Sequence, residues 1–196
     1  MSSTLQGSLY HWRNRYLLMR HGHSQANERG LIISSPERGL EAFGLSDTGQ
    51  RQLDDRIAHW TWPRPTKVVH SDFLRTTHTA QRVAEAFGLS MAVDTRLRER
   101  GFGEFEGGAD SAYPTVWEQD AASAEHDTGG VEPVSRVAAR MREAIEALEQ
   151  RYTGEVILVV SHGDPLQILL TALAGRPLTR HREQPALLPA SITEWG

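Results

Sequence analysis

The chain has 196 residues, 39% of them hydrophobic, and a formal charge of −4, enough for one medium-sized domain with a sizeable core. That acidic balance argues against a nucleic-acid or anionic-membrane binder, and the lack of cysteine excludes disulfides and thiolate chemistry. No apolar run approaches a membrane span, so a soluble, cytoplasmic protein is expected.

Residues 1–13 lack the apolar core of a signal peptide and read as a flexible polar leader to a single domain over residues 14–196. A short apolar strand is predicted from Arg15 to Met19 and ends abruptly in Arg20-His21-Gly22. The polar stretch from Gly22 to Leu45 is too irregular for one helix. Ser46 looks like the N-cap of a helix with Leu53, Ile57 and Trp60 on one face, stopped by Pro63 and Pro65. Lys67 to His70 reads as a strand, and Leu74 to Phe87 as a helix closed by Gly88. Met91 to Val93 is a brief strand leading to Arg98-Glu99. The long stretch from Gly101 to Pro133 is irregular, with one short helix predicted near Tyr113 to Ala122; loops of that length usually carry function. A helix with an apolar stripe of Val137, Met141, Ile145 and Leu148 spans Val134 to Arg151. The most apolar strand, Glu155 to Ser161, runs into His162-Gly163, and Pro165 suits the first turn of the helix that follows. Ser191 to Trp195 reads as an edge strand. Strands alternating with helices predict an α/β fold with a mostly parallel sheet covered on both faces.

Open α/β sheets bind ligands at the carboxyl ends of their strands, where this chain places Arg20-His21 and His162. A planar guanidinium holds phosphate, and a neutral imidazole nitrogen can take the phosphoryl group. His21 must then be neutral at the attacking nitrogen, with its other ring nitrogen donating to a backbone carbonyl. Arg75, at the start of the helix after the second strand, is placed to add a second guanidinium. A leaving alkoxide needs a proton, and Glu99 is the candidate nearest a strand end, with Glu104 and Glu106 as competitors. His162 is a candidate donor to the phosphoryl oxygens. His11, His59, His126 and His181 have no special setting and read as surface residues, while His70 and His78 lie near enough in sequence to approach the site. The alternative for each of these positions is an ordinary strand-end, helix-surface or solvated charge. The abundance of arginine over lysine reads mainly as a compositional bias.

Four blocks in order carry a family resemblance: Arg20-His21-Gly22 with Ser24 and Asn27; Ser71 through Ala80 with Arg75; Arg98-Glu99 with Phe102-Gly103 and Glu106-Gly107; and Ser161-His162-Gly163. Together the chain resembles the histidine phosphatase superfamily, the branch named for cofactor-dependent phosphoglycerate mutase. The resemblance implies a three-layer sandwich with a mixed sheet and a phosphohistidine at His21. It implies charge stabilisation by Arg20, Arg75 and His162, and proton transfer by Glu99. Ser24, Asn27 and Gly163 are expected to line the phosphate site. No cofactor and no metal are implied. The chain departs from the family pattern at His23, at Asp72, which is expected to face away from an anionic substrate, and at Val131-Glu132-Pro133. The segment from Arg29 to Ala42 looks longer than in small members. The run after Glu99 resembles the phosphatase version rather than the mutase version. The expected partner is a small phosphate ester, with phosphoproteins also open, and neither nucleic acid nor a membrane; the oligomeric state is not legible. A mutase-type phosphotransferase, a non-catalytic binder of phosphorylated ligands and a metal hydrolase built on His21, His23 and His162 are the competing readings.

Overall fold

A computed structural model describes residues 12–196. The first apolar run forms strand β1 (Arg15–Arg20). Two short helices follow, α1 (Gln25–Arg29) and α2 (Pro36–Gly39), then α3 (Asp47–Ala58), β2 (Lys67–His70), α4 (Leu74–Phe87) and β3 (Met91–Val93). Helix α5 (Tyr113–Ala122) lies within the irregular stretch, and α6 (Val134–Arg151), β4 (Val156–Ser161), α7 (Gly163–Leu173) and β5 (Ile192–Trp195) complete the order. The sheet runs β3-β2-β4-β1-β5. Its first four strands are mutually parallel, and β5 lies antiparallel against β1 at the edge.

Strand side chains alternate faces, and here both faces are apolar. Tyr16 and Leu18 of β1 and Ile157 and Val159 of β4 pack against α6 and α7. Leu17, Met19, Leu158 and Val160 point the other way, onto Leu53 of α3 and Ala80 and Val83 of α4. The result is the expected α/β sandwich of three layers with a mixed sheet. On α6 the stripe of Val137, Met141, Ile145 and Leu148 is buried, each side chain contributing about 1.5–3 kcal/mol.

The local signals act as read. Ser46 Oγ accepts from the Gly49 amide and starts α3. Gly88 takes the left-handed conformation (φ 67°) that ends α4. Three strand ends shift by one residue, and α3 closes at Ala58 with His59 as its cap, so Trp60 lies beyond the helix, although it still packs on the core. The stretch from Gly101 to Pro133 is more ordered than a bare loop, because Ile32, Phe102, Val116 and Val131 form a small core of their own under it. Residues 1–11 of the expected leader lie outside the described residues; Trp12 sets its ring edge-on to Tyr16, and the Arg13 amide donates to Glu149. Among the described residues no helix is long and apolar enough to cross a membrane.

Candidate active site

Parallel pairing of β1 and β4 in the register Arg20↔Ser161 sets the two His-Gly turns side by side. Strand β2 ends beside them and delivers Arg75 in the first turn of α4. Glu99 arrives from the segment after β3. The expected site residues Arg20, His21, Ser24, Asn27, Arg75, Glu99 and Gly163 all line one cavity of about 230 Å³. His162 does not line it; it is fully buried just behind, with its ring edge-on to His21 at 5.3 Å.

His21 is held in one tautomer. Its Nδ1 lies 2.7 Å from the Gly22 carbonyl oxygen, which can only accept, so Nδ1 carries the proton. Nε2 is therefore the lone-pair nitrogen, and it accepts from Arg75 Nε at 3.2 Å. Burial and then the neighbouring Arg75 and Arg20 charges hold the His21 pKa well below the usual imidazole value. The ring is thus a neutral base throughout the physiological range.

The two guanidiniums are anchored by backbone and keep donors in reserve. Arg20 Nη1 donates to the Leu187 carbonyl at 2.6 Å, and Arg75 Nη2 to that of Ile33 at 2.8 Å. Arg20 Nε, Arg75 Nη1 and His162 Nδ1 are buried with no hydrogen-bond partner among the described residues. Buried nitrogens of this kind are costly unless a partner meets them, and Arg20 and Arg75 both line the cavity, where a tetrahedral anion would meet theirs. His162 Nε2 is paired with Ser71 Oγ at 2.9 Å, and its Nδ1 lies 3.7 Å from Glu99 Oε2. Ser24 and Asn27 form a reciprocal cap on α1 that uses the Asn27 side-chain oxygen.

The Glu99 carboxyl is only 10% exposed. Burial pushes its pKa up; Arg75 opposes this, Asp164 adds to it, and the result is about 7. A group of that strength can both give and take a proton near neutral pH. Its backbone is clamped by Arg140, which donates to the carbonyls of Arg96, Arg98 and Glu99 and pairs with Glu132. Glu132 in turn accepts from the Gly101 amide. The residue that stood in a departing block therefore braces the loop of the candidate acid.

The histidine phosphatase superfamily (branch 1) matches residues 16–195. The chain belongs to this superfamily. A relative named "Probable phosphoglycerate mutase GpmB", from Erwinia tasmaniensis, is 31% identical over 174 residues, covering 84% of this chain and 77% of that protein. A mycobacterial glucosyl-3-phosphoglycerate phosphatase of known structure is 28% identical with a TM-score of 0.75, over 92% of this chain and 88% of that one. A second solved structure, named mycobacterial hydrolase 1, is 26% identical with a TM-score of 0.78, over 92% and 90% of the two chains.

Against this superfamily background several sequence expectations change. Glu106 does not line the cavity: it accepts from the Ser34 amide and hydroxyl and ties the segment after α1 to the acid-bearing loop. Glu104 is exposed and lies against Gly129. Asp72 stays off the cavity wall, as expected, and is held there by Arg98, which grips it with two nitrogens at 2.6 and 2.8 Å. His181 is fully buried and His126 nearly so; both bond to Asp120, a partner that draws them inward. His59 is exposed as expected, and His11 lies outside the described residues. His70 and His78 do not line the cavity. His23 turns to Ser46 Oγ, and no group of three or more metal-ligating side chains occurs among the described residues. Sequence reasoning missed Tyr113, Trp117, Asp164, Gln167 and Arg182 as wall residues. The first four have helical neighbours that mask them, and Arg182 sits in a 3-10 segment (Leu178–Glu183) with no readable period.

Proposed function

We propose that this chain hydrolyses phosphate monoesters through a phosphohistidine at His21. One observation carries the reading: Nδ1–H is spent on the Gly22 carbonyl, so the Nε2 lone pair is left beside Arg75 in a cavity lined by Arg20 and Arg75, each with one buried nitrogen unpartnered among the described residues. Nε2 attacks phosphorus, the ester P–O bond breaks, and the departing alkoxide takes the proton of Glu99. Glu99, now a carboxylate, takes a proton from water as that oxygen attacks phosphorus. The P–N bond breaks, phosphate leaves, and His21 and protonated Glu99 are restored. Arg20, Arg75 and His162 stabilise the equatorial charge, the main task of phosphoryl transfer. Ser24, Asn27 and Gly163 complete the wall. Two guanidiniums supply the positive charge that a metal would otherwise supply, so the chemistry is read as metal-independent. A small phosphate ester is the substrate class, and the likeness to solved phosphatases favours hydrolysis over a mutase reaction.

The test is rapid quenching into alkali, where phosphohistidine survives, in the presence of a chelator. A phosphorylated peptide containing His21 is expected from the wild type, with neither label nor turnover from His21→Ala. Undiminished turnover in His21→Ala would refute the proposal. Phosphate moved onto a second alcohol rather than onto water would instead identify a transferase.

A further inference from the structure

Several wall residues take no part in the proposed reaction. Tyr113 and Trp117, one turn apart on α5, stack with rings 7° from parallel and centroids 5.4 Å apart. Beyond them, the Arg182 guanidinium lies flat on the indole, its Cζ 3.5 Å from the Trp117 centroid. Its Nη1 donates to Asp164 Oδ1 at 3.3 Å and to Gln167 Oε1.

Those two acceptors are themselves fixed. Asp164 Oδ2 accepts from Arg100 Nη1 at 3.1 Å, and the wholly buried Arg100 is gripped by both oxygens of Asp120 at 2.7 and 2.8 Å. Gln167 Nε2 donates to the carbonyls of Gln184 and Pro185. Arg182 is thus stacked on one face and held at one nitrogen. Its Nε and Nη2 have no protein hydrogen-bond partner among the described residues, and the side chain is about a third exposed, at 32%. Those two nitrogens form the parallel edge of the guanidinium, the edge that matches the two oxygens of a carboxylate or phosphate. A phosphomonoester dianion is met by Arg20 and Arg75. Asp120 balances Arg100 and Asp164 balances Arg182, so what Arg182 offers the cavity that holds His21 is an open pair of donors rather than a surplus charge.

We propose that Arg182 binds a second anionic group on the alcohol half of the ester, which makes small, doubly anionic phosphate esters the preferred substrates. The proposal rests on the phosphatase reading of the same cavity. Neighbouring carboxylate and phosphate groups offer the edge the same oxygens, so the test has an arm for each.

The experiment compares kcat/KM for 3-phosphoglycerate and glycerol 3-phosphate, which differ by a carboxylate, and for propane-1,3-diol bisphosphate and its monophosphate. The wild type is expected to favour the doubly anionic member of at least one pair by about tenfold to a hundredfold, mainly through KM, the scale of one charge-assisted contact. In Arg182→Gln that preference should collapse towards unity, and Arg182→Lys, which keeps the charge but not the parallel edge, should fall between. No preference in the wild type for either pair, or an equal preference in Arg182→Gln, overturns the proposal without a folding ambiguity in the first case. If the wild type hydrolyses none of the four esters, the phosphatase reading is what has failed. Calorimetric binding of the same pairs to wild type and Arg182→Gln then decides the Arg182 contact alone, by the same ratios.

Discussion

The Glu99 carboxyl and the His21 imidazole are pushed in opposite directions by one enclosure. Burial disfavours charge on either, so the acid is raised to about 7 while the base is lowered further below it. With alkyl phosphates, kcat/KM reports the step in which Glu99 must still hold its proton. The Glu99 contribution should therefore be level below pH 7 and fall about tenfold per unit above it, with protonation of the substrate dianion adding a separate acid limb. Glu99→Gln should lose that alkaline limb and drop about 10²- to 10⁴-fold on alkyl esters. With p-nitrophenyl phosphate, whose leaving group needs no proton, the same variant should give a burst of nitrophenolate and a stalled phosphoenzyme. A pH profile for Glu99→Gln that retains the wild-type limb would remove Glu99 from the role. At this scale the sequence was most legible where chemistry sits at a strand end: Arg20-His21, Arg75, Glu99 and His162 are each placed by one neighbouring element. It was least legible where a partner far along the chain decides the outcome. Nothing beside His181 in sequence announces Asp120, and nothing beside Arg182 announces Trp117.

Elements meet at this site through two glycines whose missing side chains are spatial requirements. Gly163 opens α7 beneath Arg20, and a Cβ there would stand 3.2 Å from Arg20 Nε and 3.3 Å from its Cζ. Gly163→Ala must therefore push the guanidinium aside by a few tenths of an ångström. Inhibition by vanadate should weaken several-fold while the urea midpoint stays level or rises, because alanine favours the helix. Gly49, in the first turn of α3, passes so close to the β1–α1 turn that a Cβ would land on the His23 carbonyl oxygen. Gly49→Ala, worth about 1 kcal/mol of added helix propensity in isolation, should instead cost about 1–3 kcal/mol in urea unfolding. Helix α4 was readable to both ends because its period and its Gly88 stop agree. The short α1 and α2 were not, since five and four residues are too few to establish a period.

Across the whole molecule, the pieces around the cavity are joined by ions rather than by the sheet alone. Arg100 comes from the acid-bearing loop, Asp120 from α5, Asp164 from the first turn of α7, and His181 from the 3-10 segment that carries Arg182. The mainly parallel sheet was foreseeable from alternating elements; this cross-link was not, because each member looks like a surface charge when read alone. Removing one partner leaves a buried opposite charge, which typically costs about 3–5 kcal/mol, whereas the intact pair adds little over an apolar equivalent. Asp120→Asn should accordingly lower stability at pH 7 by about that amount. The hydrogen bonds and charge of Arg100, with the hydrogen bonds of His181 and His126, overcome burial and hold the Asp120 carboxyl well below the usual carboxylate range. Its folded pKa is depressed, so its stabilisation is complete above the unfolded value near 4 and is lost as pH falls below it. Urea titrations of the wild type from pH 7 to pH 3 should show stability declining through the acid range. Glu132, Glu149 and Asp94, lowered by their own partners, add to that decline. The Asp120→Asn variant should start lower and fall less steeply, and two parallel curves would show that the Asp120 proton is not coupled to folding.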